Sequence, residues 1–128
     1  MSDLEFQLTS SPLSPEPLGW DARFGAEVSF VGVVRGLEDG EEIAGIEYSA
    51  YPEMVGNTFE TLATTAQERF PEHRVRIVHR TGFVAAAEPS VSLQVSSAHS
   101  PSALEICGWY LAELKLTVPI WKRIVPAS

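Results

Sequence analysis

The chain contains two lysines, Lys115 and Lys122, which lie seven residues apart near its C-terminus. Pro119 stands between them and ends any helix that includes Lys115, because proline lacks the amide hydrogen and clashes with the preceding turn. If the chain folds back at this proline, both ammonium groups can enter one pocket. Two close ammonium groups lower each other's proton affinity, which favours nucleophilic or acid–base chemistry, and the same pair can bind a phosphate. The simpler alternative is a lysine that only complements a helix dipole.

Arg35 and His99 are the other candidate binding residues. Arg35 ends a β-branched run at a glycine-containing turn, where its side chain either enters a cleft or stays solvated. His99 precedes a predicted helix at a position that attracts anions, although a histidine there can also simply cap or pack. Cys107 is predicted to be an inert buried thiol. The histidines lack the partner spacing of a metal site, so neither a metal nor a bound cofactor is expected.

Composition narrows the class of protein. The 128 residues correspond to one domain, residues 1–128, and the single cysteine excludes an intramolecular disulfide. No apolar run reaches the roughly 18 residues of a membrane span. The acidic first residues do not resemble a secretory signal, so we expect a cytoplasmic protein without a membrane partner. The net charge of −8 argues against nucleic acid as a partner.

The charges are unevenly distributed along the chain. Residues 1–68 carry thirteen carboxylates and two arginines, whereas residues 69–128 carry four carboxylates and seven basic side chains. A basic C-terminal part in an acidic protein suits an anionic small molecule, although chance segregation gives the same pattern.

Apolar periodicity predicts the strands that position these residues. Alternating or β-branched runs predict strands at residues 4–8, 25–35, 43–51, 74–80 and 91–96. The strand over 25–35 is expected to be buried. The strand over 43–51 is expected to return as the second arm of a hairpin, after a turn at Glu38-Asp39-Gly40.

Two helices are predicted between and after these strands. Pro52 is tolerated in a first helical turn, and apolar residues then recur at helical spacing up to Phe70. Ser100-Pro101 is expected to cap and begin the second helix, with Ser102-x-x-Glu105 as a capping box. That helix ends before Pro119.

The order of these elements predicts an α+β fold in which a mostly antiparallel sheet packs with two main helices. Trp121, just beyond the second helix, is expected to be a core anchor. Residue types and spacing alone therefore lead to an α+β domain with a basic C-terminal cluster.

Five segments together resemble one known family, the molybdopterin synthase catalytic (large) subunit. They occur in the family's order and spacing, and the resemblance extends over about residues 4–124. The segments are GAEVSFVGVVR (25–35), EYSAYPEM (47–54), HRVRIVHRTG (73–82), SVSLQVSSAHS (90–100) and LKLTVPIWKR (114–123).

This resemblance implies the α/β hammerhead fold and a sulfurtransferase activity. Members of the family bind cyclic pyranopterin monophosphate and convert it to molybdopterin by adding two sulfurs. The sulfur comes from the C-terminal thiocarboxylate of a small ubiquitin-like subunit that ends in Gly-Gly. The family forms a central homodimer with one small subunit at each end, a heterotetramer.

The resemblance also implies roles for particular residues. Lys115 corresponds to the lysine beside the incoming thiocarboxylate, and Lys122 to a second essential lysine. The substrate-binding segments correspond to Val33, Val34, Arg35, His99, Ser100, Arg123 and Ile124.

Two positions depart from the family pattern. Ser100 stands where an arginine usually follows the histidine, and Ile124 stands where a glutamate usually ends the W-K-[KR]-E run. Typical members also continue beyond the position of Ser128 with a tryptophan-containing tail. These departures leave an alternative open, in which the chain is a diverged, non-catalytic homologue that binds the sulfur-carrier protein.

Overall fold

The computed structural model describes residues 3–128 as eight strands and two helices. Their order is strands, helix, strands, helix and a final strand. The elements are β1 Leu4–Thr9, β2 Ala26–Val33, β3 Leu37–Glu38, β4 Glu41–Ala50, α1 Pro52–Arg69, β5 His73–Arg80, β6 Gly82–Ala85, β7 Pro89–Ser97, α2 Ser100–Thr117 and β8 Ile120–Pro126.

The first sheet has the strand order β1-β5-β7-β2. The pair β1–β5 is parallel, and the other two pairs are antiparallel. Residues of both helices and of the two central strands form the main core, which includes Phe59, Ile77, Leu93 and Tyr110. The helical stripe predicted for α1 is confirmed, because its buried residues recur every three or four positions.

The second sheet is built around β4. Strands β3 and β6 pair with β4 in antiparallel fashion, and so does β8. The predicted turn is confirmed, since Asp39 and Gly40 adopt φ of 51° and 80° and connect β3 to β4 in a tight hairpin. A smaller core of Val34, Ile43, Ile46 and Val84 lies against this sheet.

Strand β4 differs from its prediction in its partners. We expected it to follow the long strand as a hairpin arm, but it pairs with the two-residue β3, whereas β2 pairs with β7. Strand β6 and the pairing of β8 were not predicted. These pairings join residues far apart in sequence, so short apolar runs carry no local signal for them.

The expectation that the strand over 25–35 is buried is wrong. Strand β2 lies at the edge of its sheet and ends at Val33. Phe30, Val31 and Val33 are 37%, 39% and 51% exposed. An exposed apolar strand at the edge of a sheet is typical of a surface that pairs with another chain.

Trp121 also differs from its prediction. It is 49% exposed rather than a core anchor, and its ring packs edge-on against Tyr51 with centroids 5.7 Å apart. Within residues 3–128, the helices are too short or too polar to cross a lipid bilayer.

Candidate active site

Val33 is the last residue of β2, and Val34 and Arg35 follow directly after it. Val34 is buried, and its backbone is fully paired, since its amide donates to the Glu88 carbonyl and its carbonyl accepts from Ala87. Its neighbours Val33 and Arg35 are exposed. The Arg35 side chain is 77% exposed and lies 3.6 Å from a carboxylate oxygen of Glu38, so its guanidinium remains accessible to a ligand.

Lys115 lies in the last turn of α2 and is exposed. The helix ends at Val118, whose amide donates to Leu114, and β8 begins two residues later at Ile120. The predicted end of the helix before Pro119 is therefore confirmed. The two lysines lie on either side of this junction between α2 and β8, where the buried Val118 belongs to the main core.

The pairing of β8 with β4 determines where its side chains lie. Lys122 is directly opposite Tyr48, and Ile124 is opposite the buried Ile46. Arg123 is opposite Glu47, and its guanidinium forms a 3.4 Å ion pair with that carboxylate. Because neighbouring residues of a strand face opposite sides, Lys122 and Arg123 lie on different faces of this sheet.

Lys122 lies at the same end of the first sheet as Arg35. The ring of its cross-strand partner Tyr48 packs edge-on against His79, with centroids 4.9 Å apart. His79 is paired in register with Val91, which in turn is paired with Gly32, close to the end of β2. Tyr48 also contacts the small core that contains Val34.

His99 and Ser100 lie at the opposite end of the same sheet. Gly25, just before β2, donates its amide to Ala98, whereas Val33 at the other end of β2 is opposite Pro89. The seven intervals between Ala26 and Val33 correspond to about 23 Å of strand. A single copy of the chain therefore does not bring Arg35 and His99 to one small molecule.

The length of α2 likewise separates Lys115 from His99 within one copy of the chain. The helix begins next to His99 and packs against β7 and β2. The rise from Ser100 to Lys115 is about 22 Å. We call Arg35 and Lys122, together with Lys115 five residues before β8, the basic end, and His99 with Ser100 the His99 end.

The N-terminus of α2 is formed differently from its prediction. His99 rather than Ser100 is the N-cap residue, and it makes no side-chain capping hydrogen bond. The predicted capping box is also wrong, since the Ser102 hydroxyl donates to the His99 carbonyl at 2.8 Å instead of capping the helix. Both His99 and Ser100 are exposed, so their side chains are accessible to another molecule.

Two histidines, the buried His73 and the half-buried His79, were not recognised as structural from the sequence. His79 packs on Tyr48, and burial lowers the pKa of its imidazole. His73 lies buried at the start of β5 with a 2.8 Å hydrogen bond to the Tyr110 hydroxyl, and burial lowers the pKa of its imidazole as well. Cys107 is buried as predicted, which raises the pKa of its thiol and keeps it unreactive.

Known proteins resemble this chain in sequence and structure. The molybdopterin synthase catalytic subunit of Vibrio cholerae is 36% identical over 108 residues, which are 84% of this chain and 72% of that protein. The corresponding protein of Arabidopsis thaliana is 36% identical over 101 residues, 79% of this chain but only 51% of its own length. The crystal structure of molybdopterin synthase from Staphylococcus aureus has a TM-score of 0.89 and 27% identity, covering 100% of this chain and 94% of that chain.

The structural likeness confirms the α+β fold that the resemblance implied, with two helices and mostly antiparallel strands. The model of one family, described as MoaE protein, matches residues 8–117. With that match and relatives 36% identical over most of its length, the chain belongs to the MoaE protein family.

Proposed function

We propose that the chain is the catalytic subunit of a molybdopterin synthase. It transfers sulfur from the C-terminal thiocarboxylate of a small ubiquitin-like subunit to cyclic pyranopterin monophosphate, in the cytoplasm. The curated relatives are named for this activity. The observation that carries the proposal for this chain is the basic end, where β8 returns along β4 and leaves Lys122 at the same end as Arg35.

The basic end suits the chemistry of two anionic partners. A phosphate-bearing pterin and a thiocarboxylate both need cations in a site that excludes part of the water, where fixed charges act most strongly. A lysine there can protonate a leaving oxygen or form a transient adduct with a carbonyl carbon. Arg35, whose guanidinium has only the long contact to Glu38, is available to bind phosphate.

We further propose that two copies of the chain complete each site. Arg35 and His99 lie at opposite ends of β2, which is about 23 Å long. The exposed apolar edge of β2 offers a self-complementary surface. Antiparallel pairing of this edge with its symmetry mate would bring the basic end of one copy to the His99 end of the other. The substrate would then be held by Arg35 and the lysines of one copy and by His99 of its partner.

The name catalytic subunit, which the relatives carry, supports a further subunit as partner. We assign that role to the small sulfur carrier, whose extended Gly-Gly tail would reach Lys115 and Lys122. Both lysines are exposed, so the tail needs no opening of the core to approach them.

The non-catalytic alternative rests on Ser100 and Ile124. Ile124 is directly opposite the buried Ile46, so an apolar side chain fits this position of the sheet. Ser100 removes one cation from the His99 end, while His99 remains exposed there. All three cations of the basic end are retained, and they favour the enzyme.

The test is reconstitution from the purified chain, thiocarboxylated small subunit and pterin precursor, with molybdopterin as the measured product. We expect Lys115→Ala and Lys122→Ala each to lower the rate by about 100-fold or more, as for loss of a general acid or nucleophile. The matched control is Arg69→Ala, which removes an exposed cation from the last turn of α1.

Arg69→Ala should retain the wild-type rate. A wild-type chain that binds the small subunit but makes no molybdopterin would establish the non-catalytic alternative. Full activity of Lys115→Ala would refute the role of the basic end.

A further inference from the structure

Tyr48 is the residue of β4 that lies directly opposite Lys122 in β8. Directly opposite residues of an antiparallel pair point to the same face, with their Cβ atoms about 4.5–5.5 Å apart. The side chains of Tyr48 and Lys122 therefore project next to each other from one face of the strand pair. On the other face of the same strands, Arg123 is held by its ion pair with Glu47.

The Tyr48 ring is itself held in place from two sides. His79 packs against it edge-on, with centroids 4.9 Å apart and an interplanar angle of 75°. The ring also contacts the small core of Val34, Ile43, Ile46 and Val84. Val34, a member of this core, directly precedes Arg35 in the chain. The half-buried Tyr48 therefore lies between the strand that carries Lys122 and the core next to Arg35.

The Tyr48 hydroxyl has no hydrogen-bond partner among residues 3–128, although the ring is half-buried. Tyr110, which is fully buried, uses its hydroxyl in the hydrogen bond to His73. The packing of Tyr48 therefore depends on its ring and not on a hydrogen bond. This difference predicts that phenylalanine can replace Tyr48, whereas an aliphatic residue cannot.

We infer that Tyr48 is a positioning residue for Lys122, and this inference rests on the proposed sulfur transfer at the basic end. A lysine stem has four rotatable bonds and many rotamers in solvent. A rigid ring beside the stem removes part of that freedom, so that the ammonium group stays directed along the face shared with Tyr48. His79 packs edge-on against this ring and limits its movement.

The first measurement is steady-state kinetics of the reconstituted synthase carrying Tyr48→Leu or Tyr48→Phe. We expect Tyr48→Leu to lower kcat by about ten-fold with little change in KM, because a displaced catalytic group costs rate more than binding. Tyr48→Phe should retain most of the wild-type kcat. Equal loss in both variants, or a wild-type kcat for Tyr48→Leu, would overturn the inference.

The second measurement does not require activity. Limited acetylation of the full chain, mapped by mass spectrometry, gives the ratio of modification of Lys122 to that of Lys115, which serves as internal reference. Tyr48→Leu should change this ratio, while Tyr48→Phe should leave it as in the wild type. An unchanged ratio in Tyr48→Leu would contradict positioning even if the wild-type chain made no molybdopterin.

The matched control is Phe83→Leu. Phe83 is an exposed aromatic residue of β6 that lies opposite Glu47, on the other face of the same sheet. If Phe83→Leu shifted the acetylation ratio and kcat as Tyr48→Leu does, the effect would be a general loosening of the sheet. Thermal unfolding of each variant shows that the compared proteins are folded.

Discussion

At the scale of single residues, strand geometry determines on which face of the sheet the consecutive cations Lys122 and Arg123 lie. Strand geometry directs them to opposite faces, where Lys122 lies beside Tyr48 and Arg123 is paired with Glu47. An exposed ion pair of this kind contributes little to stability. Lys122 is therefore the cation of this segment that shares a face with the ring of Tyr48.

Replacing Ser100 with arginine tests the one cation that the His99 end lacks. We expect Ser100→Arg to tighten binding of the pterin precursor by about ten-fold, because one charge-assisted hydrogen bond contributes roughly 1.5 kcal/mol. Calorimetry with the precursor measures the effect. Thr64→Arg, which adds the same charge at an exposed position of α1, should leave the affinity unchanged. Equal gains in the two variants would indicate a non-specific charge effect.

The buried histidines predict how stability depends on pH. Burial lowers the pKa of His73 and His79 in the folded chain below its ordinary value of 6.5. The unfolded chain therefore binds more protons near that pH, so the free energy of unfolding decreases as the pH falls below about 6.5. Urea unfolding at pH 7.5 and pH 5.5 measures this loss.

Substitutions separate the contribution of each histidine. His73→Gln should reduce the pH dependence, whereas His99→Gln, at an exposed position, should retain it. A pH dependence that survives replacement of both buried histidines would assign it to other groups.

The candidate residues differ in how visible they are from the sequence. Sequence reasoning could identify the charged candidates because their residue types and motifs indicate anion binding. These candidates are Arg35, His99, Lys115 and Lys122. Tyr48 could not be identified in this way, because its role depends on the register of β8 against β4 and on the packing of His79 behind it. Neither relation leaves a local pattern in the chain.

At the scale of elements, β4 is the strand on which the basic end depends, and Gly45 is its tightest point. A Cβ atom at Gly45 would collide with the Val84 carbonyl oxygen and lie 2.8 Å from the Phe83 ring. Gly45 lets β6 approach closely, and this spacing keeps β4 between β6 and β8.

Gly45→Ala should therefore destabilise the chain by about 1–3 kcal/mol, as overpacking does. Gly56→Ala is the control, since Gly56 lies in α1 with open space around its Cα. That substitution should stabilise the helix by roughly 0.5–1 kcal/mol. Urea unfolding of both variants gives the two free energies, and a neutral Gly45→Ala would contradict the close approach.

Element prediction from sequence succeeded where the signal is local. The two helices and most strands follow from periodicity and from the prolines at their ends, as Pro52 and Pro119 illustrate. It failed where partners are distant. The apolar run of β2 reads as a buried strand, and only the sheet order shows that one edge is open.

At the scale of the whole molecule, the two ends of the first sheet separate the candidate residues into two groups. A site shared by two copies makes a specific prediction for mixed dimers. Lys115→Ala and His99→Ala should each be nearly inactive alone. In an equal mixture of the two variants, half of the dimers contain one copy of each, and each of these mixed dimers has one intact site out of two. The mixture should therefore recover about a quarter of the wild-type activity.

The matched mixture combines Lys115→Ala with Lys122→Ala, both at the basic end, and should recover no activity. Val31→Lys, on the exposed edge of β2, should convert dimers to monomers in sedimentation experiments. Recovery in the matched mixture, or a dimer that survives Val31→Lys, would count against the shared site.

The late position of β8 in the chain has a consequence for truncated forms of the protein. Both helices and all four strands of the first sheet precede residue 118, so nearly all of the main core belongs to the part of the chain before β8. Lys122 reaches its place opposite Tyr48 only when β8 pairs with β4. A chain truncated after α2 would thus keep the apolar edge of β2, and it would occupy a dimer position without contributing Lys122.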